Sequence, residues 1–173
     1  HPTKGSFFTR GTSRDEYARY TESGETYVRV VDRINKKWET AKGILPKAEL
    51  FQNAEKANTA ILFFGTTTYA AIEAMDILRE EGWPVDGIRI KSVPMGTEVK
   101  EFLDSHERIF VIEQNRDAQF KTVLVNEFEI NPQKLVSVLN YDGQPITADH
   151  IVKQIQQHVL FQTNVPASGA AEK

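Results

Sequence analysis

Four short apolar runs, each followed by a stretch with helical spacing, set the strongest limit on the fold of this chain. The runs are Ala60–Phe64, Ile88–Val93, Ile109–Ile112 and Leu135–Leu139. Strand and helix alternating in this way force parallel pairing through right-handed crossovers, and therefore a three-layer, doubly wound α/β sheet. Runs that are apolar throughout predict strands covered on both faces, whereas Ile88–Val93 alternates apolar and polar residues and is expected nearer a sheet edge.

The helices follow from periodicity and punctuation. Tyr27, Val30, Val31, Ile34, Trp38, Ala41 and Leu45 mark one face of a long helix that ends near Gly43, with Pro46 just beyond it. Trp38 belongs to that stripe and is expected to be buried with it. A helix over about Tyr69–Glu81 offers Ala70, Ala74, Ile77 and Leu78 to the core and stops at Gly82. A shorter one over Thr97–Ser105 offers Val99, Phe102 and Leu103, and the next offers Phe120, Val123, Leu124 and Phe128. Asn131-Pro132 reads as a cap followed by proline at the first helical position, Asp142-Gly143 as a turn, and Thr147 as the opening of a last helix with Ile151, Ile155 and Val159 inward. Trp83, beside Pro84, reads as an anchor under the sheet edge.

The division that results is an amino-terminal arm and long helix (1–48), an α/β domain (49–162) and a flexible tail (163–173) rich in Ala, Ser and Gly. Polar residues 47–58 lack any period and read as a linker. The arm carries ten Lys and Arg against six Asp and Glu, and the remainder eleven against eighteen, so a basic arm of +4 precedes an acidic body of −7. An acidic body without a basic stripe argues against nucleic-acid binding. The longest apolar run is too short to cross a bilayer. With no cysteine, disulfides and thiolate ligands are excluded, and a reducing cytoplasm is the expected location.

The usual equipment for catalysis is missing: no metal-ligand spacing, no GxGxxG, no P-loop and no nucleophile elbow. In open α/β sheets ligands bind beyond the carboxyl ends of the strands. The anion candidate among those loops is Gly65-Thr66-Thr67-Thr68, where helix amides and hydroxyls could face a phosphate or carboxylate, although threonines before a helix more often cap it. Glu113, at the end of a buried strand, is expected to bond loop amides or to pair with Arg116. His150 reads as part of a helix N-terminus, and His1, His106 and His158 as surface residues. The first residue is not a methionine, and the expectation is a part of something larger.

Four segments together carry a resemblance: FFTRGTSRDEYARYTE (7–22), ILFFGTTTYAAIEAM (61–75), FVIEQNRDAQF (110–120) and LNYDGQPITADHIV (139–152). Their order and spacing resemble the carboxyl-terminal part of the α subunit of 2-oxoacid:ferredoxin oxidoreductases, most closely the 2-oxoglutarate type. The resemblance implies a transketolase carboxyl-terminal-like domain with a mixed sheet of five strands, one of them antiparallel. Only four are read from the residues, and the fifth is to be sought in the arm or in the linker before Ala60. It also implies a complete enzyme that uses thiamine diphosphate, Mg²⁺, iron-sulfur clusters and coenzyme A, and that delivers electrons to ferredoxin. The pyrophosphate, Mg²⁺ and cluster ligands are then expected on the β subunit, and the thiamine and coenzyme A regions of the α subunit upstream, so that this chain alone is expected to be inactive. No catalytic residue carries over. The arm residues Arg10, Arg14, Asp15, Glu16 and Tyr17 are expected to dock on the β subunit or on the upstream domains, and Arg14 stands where members of the family often have histidine.

Overall fold

The computed structural model describes residues 13–53 and 57–163, and the side chains of these up to residue 159. Arg10 and the tail beyond Thr163 lie outside them. The chain divides into two units, 1–45 and 46–173.

In the first unit, helix α1 (Gly24–Lys42) starts three residues before the predicted Tyr27, because the Ser23 side chain accepts a hydrogen bond from the Thr26 amide and caps a polar first turn. It stops at Gly43, as its sequence predicts. None of its residues is buried, and Trp38 is half exposed. This corrects the expectation of a buried tryptophan: a period of 3.6 identifies an apolar stripe without identifying its cover.

The second unit is a five-stranded sheet in the order β1-β3-β2-β4-β5, formed by β1 (Glu49–Phe51), β2 (Thr59–Phe64), β3 (Asp86–Ile90), β4 (Arg108–Glu113) and β5 (Leu135–Leu139). Strands β2 to β5 are parallel, and β1 runs antiparallel to β3, with Leu50 opposite Ile88. The fifth strand thus lies in the segment that lacks any period. Because β1 takes the edge, β3 is an inner strand, contrary to its alternating pattern. Its polar Arg89 is accounted for by an ion pair with Glu49 across the β1–β3 pairing, at 3.3 Å.

Helices α2 (Thr68–Glu80), α3 (Thr97–Ser105), α4 (Gln119–Phe128) and α5 (Ala148–Thr163) cover the two faces. Successive side chains of a strand point to opposite sides, so the runs read as continuously apolar split between two cores. Ile61, Phe63, Phe110, Ile112 and Val138 pack with Ala71, Ala74 and Leu78 of α2 and with Ile151 and Ile155 of α5. Ala60, Leu62, Ile88, Ile109, Val111 and Leu135 pack on the other side with Val99, Phe102 and Leu103 of α3 and Leu124 of α4. Val123, expected inward, is exposed, as α4 turns mainly Leu124 to the sheet. Trp83 is also partly exposed rather than buried under the edge.

Gly87 marks a close approach in this sandwich. A Cβ there would lie 2.5 Å from the Met75 Sδ and 3.2 Å from the Phe51 Cβ. We expect Gly87→Ala to cost about 1–3 kcal/mol through overpacking. Part of that loss should be recovered in the Gly87→Ala/Met75→Ala double variant, and a thermodynamic cycle from urea melts measures the coupling.

Candidate functional site

The strand order reverses between β2 and β4, and a crevice beyond the carboxyl ends of parallel strands is the usual ligand position in such a sheet. Here that crevice measures about 550 Å³ and is lined by Thr66 after β2, Gln114 after β4, and, after β5, Asn140, Tyr141 and the segment 143–146. Gln114 ties the three loops together. Its Nε2 donates to the Thr66 Oγ1 at 2.8 Å, and its Oε1 accepts from the Ile146 amide at 3.4 Å. The far wall is fixed by Asn140, whose amide donates to the Glu113 carbonyl at 2.9 Å and whose Nδ2 donates to the Gln144 carbonyl at 2.8 Å. No charged side chain lines the crevice among the described residues.

The Gly65–Thr68 segment lies beside it in a tight form. Gly65 has φ +57°, a backbone conformation natural to glycine, and residues 65–67 make a single 3₁₀ turn. Thr67 Oγ1 donates to the Phe64 carbonyl at 2.6 Å and accepts from the Phe64 amide at 3.2 Å, and Thr68 Oγ1 donates to the Gly65 carbonyl at 2.7 Å. Both residues are buried. Their hydroxyls therefore fasten the turn to the end of β2 and neither caps α2 through its side chain. Of the three threonines only Thr66 lines the crevice.

Glu113 is fully buried, and its carboxylate accepts from the Phe120 amide at 2.7 Å, the Lys121 amide at 3.0 Å and the Asn115 Nδ2 at 2.8 Å. A carboxylate placed on the first amides of α4 satisfies orphan donors and the positive end of the helix dipole. Arg116 pairs instead with its neighbour Asp117 at 2.7 Å. Neither expected partner is the one found: Glu113 bonds first-turn amides of α4 and the Asn115 side chain, in place of loop amides or Arg116.

His106 departs from its expected surface position. It is buried, with Nε2 3.1 Å from the Asp86 Oδ2 and Nδ1 2.8 Å from the Phe102 carbonyl. The other Asp86 oxygen accepts from the Asn53 amide at 2.8 Å and from its Nδ2 at 3.1 Å. Twenty residues separate Asp86 from His106, and only the closure of the sheet brings them together, so no local signal marks the pair. His150 holds the third position of α5, where its amide donates to the Thr147 hydroxyl, as expected of a helix start.

His158 sits on α5 with its ring edge-on to Phe110, the centroids 5.6 Å apart. Burial, and after it the charge of Arg108, holds its imidazole below the ordinary histidine value. A depressed folded-state pKa means that folding favours the neutral ring. The associated stability is complete above the unfolded value and is lost as pH falls through the folded one. We expect the urea midpoint to drop as the pH is lowered below about 7, and to drop less in His158→Gln.

In the first unit, residues 14–20 close a small turn. Asp15 Oδ1 accepts from the Tyr17 and Arg19 amides at 2.9 and 2.8 Å, Arg14 Nη1 donates to the Ala18 carbonyl at 2.7 Å, and Glu16 pairs with Arg29 at 3.0 Å. A backbone hydrogen bond, and then Arg29, hold the Glu16 carboxyl below the usual carboxylate range. Tyr17 is three-quarters exposed, with the Arg19 guanidinium 5.7 Å from its ring centre. Of the expected docking residues, Arg14, Asp15 and Glu16 thus hold the turn in shape, while the Tyr17 ring is presented outward. Among the described residues no three histidine, aspartate or glutamate side chains gather as a metal site, and no helix is long and apolar enough to cross a membrane.

No family model matches the sequence. Subunit alpha of 2-oxoacid:ferredoxin oxidoreductase 2 from Aeropyrum pernix is 24% identical over 151 residues, which cover 85% of this chain. The chain is thus similar in sequence to an α subunit of a 2-oxoacid:ferredoxin oxidoreductase. It spans 23% of that relative's length. Among solved structures, 2-oxoglutarate:ferredoxin oxidoreductase from Magnetococcus marinus, determined with 2-oxoglutarate, coenzyme A and succinyl-CoA bound, superposes with a TM-score of 0.74 at 20% identity. The match covers 89% of this chain and 27% of the other, and it shows a shared fold. The α chain of a probable 2-oxoacid ferredoxin oxidoreductase from Thermoplasma acidophilum is 26% identical at a TM-score of 0.45, over 66% of this chain and 97% of that one. The mixed five-stranded sheet with one antiparallel strand, implied by the resemblance, is the one observed.

Proposed function

We propose that this chain is the carboxyl-terminal part of the α subunit of a 2-oxoacid:ferredoxin oxidoreductase, of the 2-oxoglutarate type, with an architectural and subunit-assembly role. The observation that carries this reading is the likeness to an α subunit along 85% of the chain, at 23% of that subunit's length. Oxidative decarboxylation to the acyl-CoA belongs, on this reading, to the complete enzyme with its thiamine diphosphate, Mg²⁺, iron-sulfur clusters and coenzyme A. With no cysteine to ligate a cluster and no charged side chain in the crevice, this chain supplies complementary surface rather than reacting groups. Residues 49–162 form the α/β domain, 1–48 the docking arm and 163–173 a tail.

The partners are the β subunit and the upstream part of the α subunit, with ferredoxin receiving electrons from the assembly. Exposed Tyr17, held on a turn by Arg14, Asp15 and Glu16, has the character of an interface anchor, since a rigid aromatic buries much area at small entropic cost. Retention on immobilised β subunit tests the role: the intact chain should be held, and chains lacking residues 1–22 or carrying Tyr17→Ala should be held less. Equal retention of all three rejects arm docking. Dye reduction driven by 2-oxoacid in the purified chain alone rejects the architectural reading as a whole. A small-anion module has less support, because two of the three threonine hydroxyls in the Gly65 turn are engaged and no cation faces the crevice.

A further inference from the structure

The crevice at the strand-order reversal is built in a way that the architectural reading does not require. Gln114 spends both ends of its carboxamide to hold the loops after β2 and β5 at a fixed separation, and Asn140 pins the floor of the β5 loop. The remaining hydrogen-bonding capacity points to the chemistry of an occupant. With its oxygen accepting from Gln114, the Thr66 hydroxyl can donate, and with its Nδ2 donating to the Gln144 carbonyl, Asn140 offers its Oδ1 as an acceptor, so that one donor and one acceptor come from the ends of β2 and β5. The Gln144 carboxamide adds an adaptable group of both kinds.

Tyr141 projects from the same loop, 65% exposed, and also lines an adjoining hollow of about 340 Å³ with Asp142 and His150. Charge narrows the choice further. Among the described residues the main crevice holds no cation, and the adjoining hollow carries the Asp142 carboxylate, so a phosphate or carboxylate would gain no counter-charge in the first and would meet repulsion in the second. A crevice of about 550 Å³ is within the range for small organic ligands.

We propose that this crevice binds an uncharged, planar heteroaromatic ring of the nucleobase kind. The ring stacks on Tyr141, its edge bonds Thr66 and Asn140, and any sugar or phosphate is left outside. The proposal does not rest on the family assignment, and the ligand needs no reaction at the site.

Titration calorimetry of the full chain with adenosine, guanosine, cytidine and uridine tests it, with adenosine 5′-monophosphate and inorganic phosphate alongside. At least one nucleoside should bind saturably, the monophosphate should bind no tighter than adenosine, and phosphate alone should give no heat of binding. Because Tyr141 is exposed, Tyr141→Ala should leave the melting temperature in place while weakening the nucleoside about five- to a hundredfold, the range of losses seen when a stacking aromatic is removed. Absence of binding by all four nucleosides overturns the proposal. So does tighter binding of the monophosphate or of phosphate, which would mark an anion site, and so does nucleoside binding that Tyr141→Ala leaves intact, which would place the ligand elsewhere.

Discussion

Replacing Glu113 with alanine is expected to destabilise the second unit by about 3–5 kcal/mol. The change strands the Phe120 and Lys121 amides at the start of α4, each worth about 1–3 kcal/mol when left unpaired in the interior. It also removes the negative charge from the positive end of that helix. Glu113→Gln should cost less, about 2 kcal/mol, because its one carbonyl oxygen can still accept from one amide while its NH₂ group turns a donor toward the other. Urea melts should therefore rank wild type above Gln and Gln above Ala. If the two variants are equally destabilised, shape rather than hydrogen bonding is what Glu113 contributes.

A second large effect is expected at Asp86. Its two oxygens serve the His106 Nε2 on one side and the Asn53 amide and Nδ2 on the other. Asp86→Ala leaves the His106 Nε2 and the Asn53 amide without an acceptor, while the Asn53 Nδ2 keeps the Val85 carbonyl at 2.6 Å, and should cost about 3–4 kcal/mol. The loss has a location as well as a size. Asn53 lies two residues beyond the end of β1, so amide exchange in Leu50 and Phe51 should accelerate more than in β4, where Ile109 to Ile112 are buried on both faces. Uniform acceleration across the sheet would contradict a tether confined to its edge.

Strands β2 and β4 were legible because a strand sandwiched between helix layers is apolar along its centre, a pattern that needs no partner to be recognised, and β5 because only Ser137 interrupts its apolar run. β1 was not, since Glu49-Leu50-Phe51 acquires its meaning from β3, forty residues away, and none of its residues is buried. The alternation of β3 misled for the same reason: Arg89 is polar because Glu49 faces it. In the candidate site, the position of the loops beyond the strand ends was readable, and the glycine of the tight turn with it. Neither the Gln114 bridge to Thr66 and Ile146 nor the Asp86–His106 pair has a spacing that sequence can announce, because each joins segments that meet only after the sheet has closed. Trp38 shows the converse, a stripe correctly located on α1 whose cover lies beyond what periodicity reports.

The four parallel strands come from one run of chain, and the antiparallel strand is three residues laid along their open side. Were it to lift away, the β3 backbone between Gly87 and Arg89 would present unpaired donors and acceptors to any passing strand. So short a cover, itself too brief to template another chain, protects the assembly from edge-to-edge aggregation. Variants that loosen β1 should thus lose solubility before they lose secondary structure.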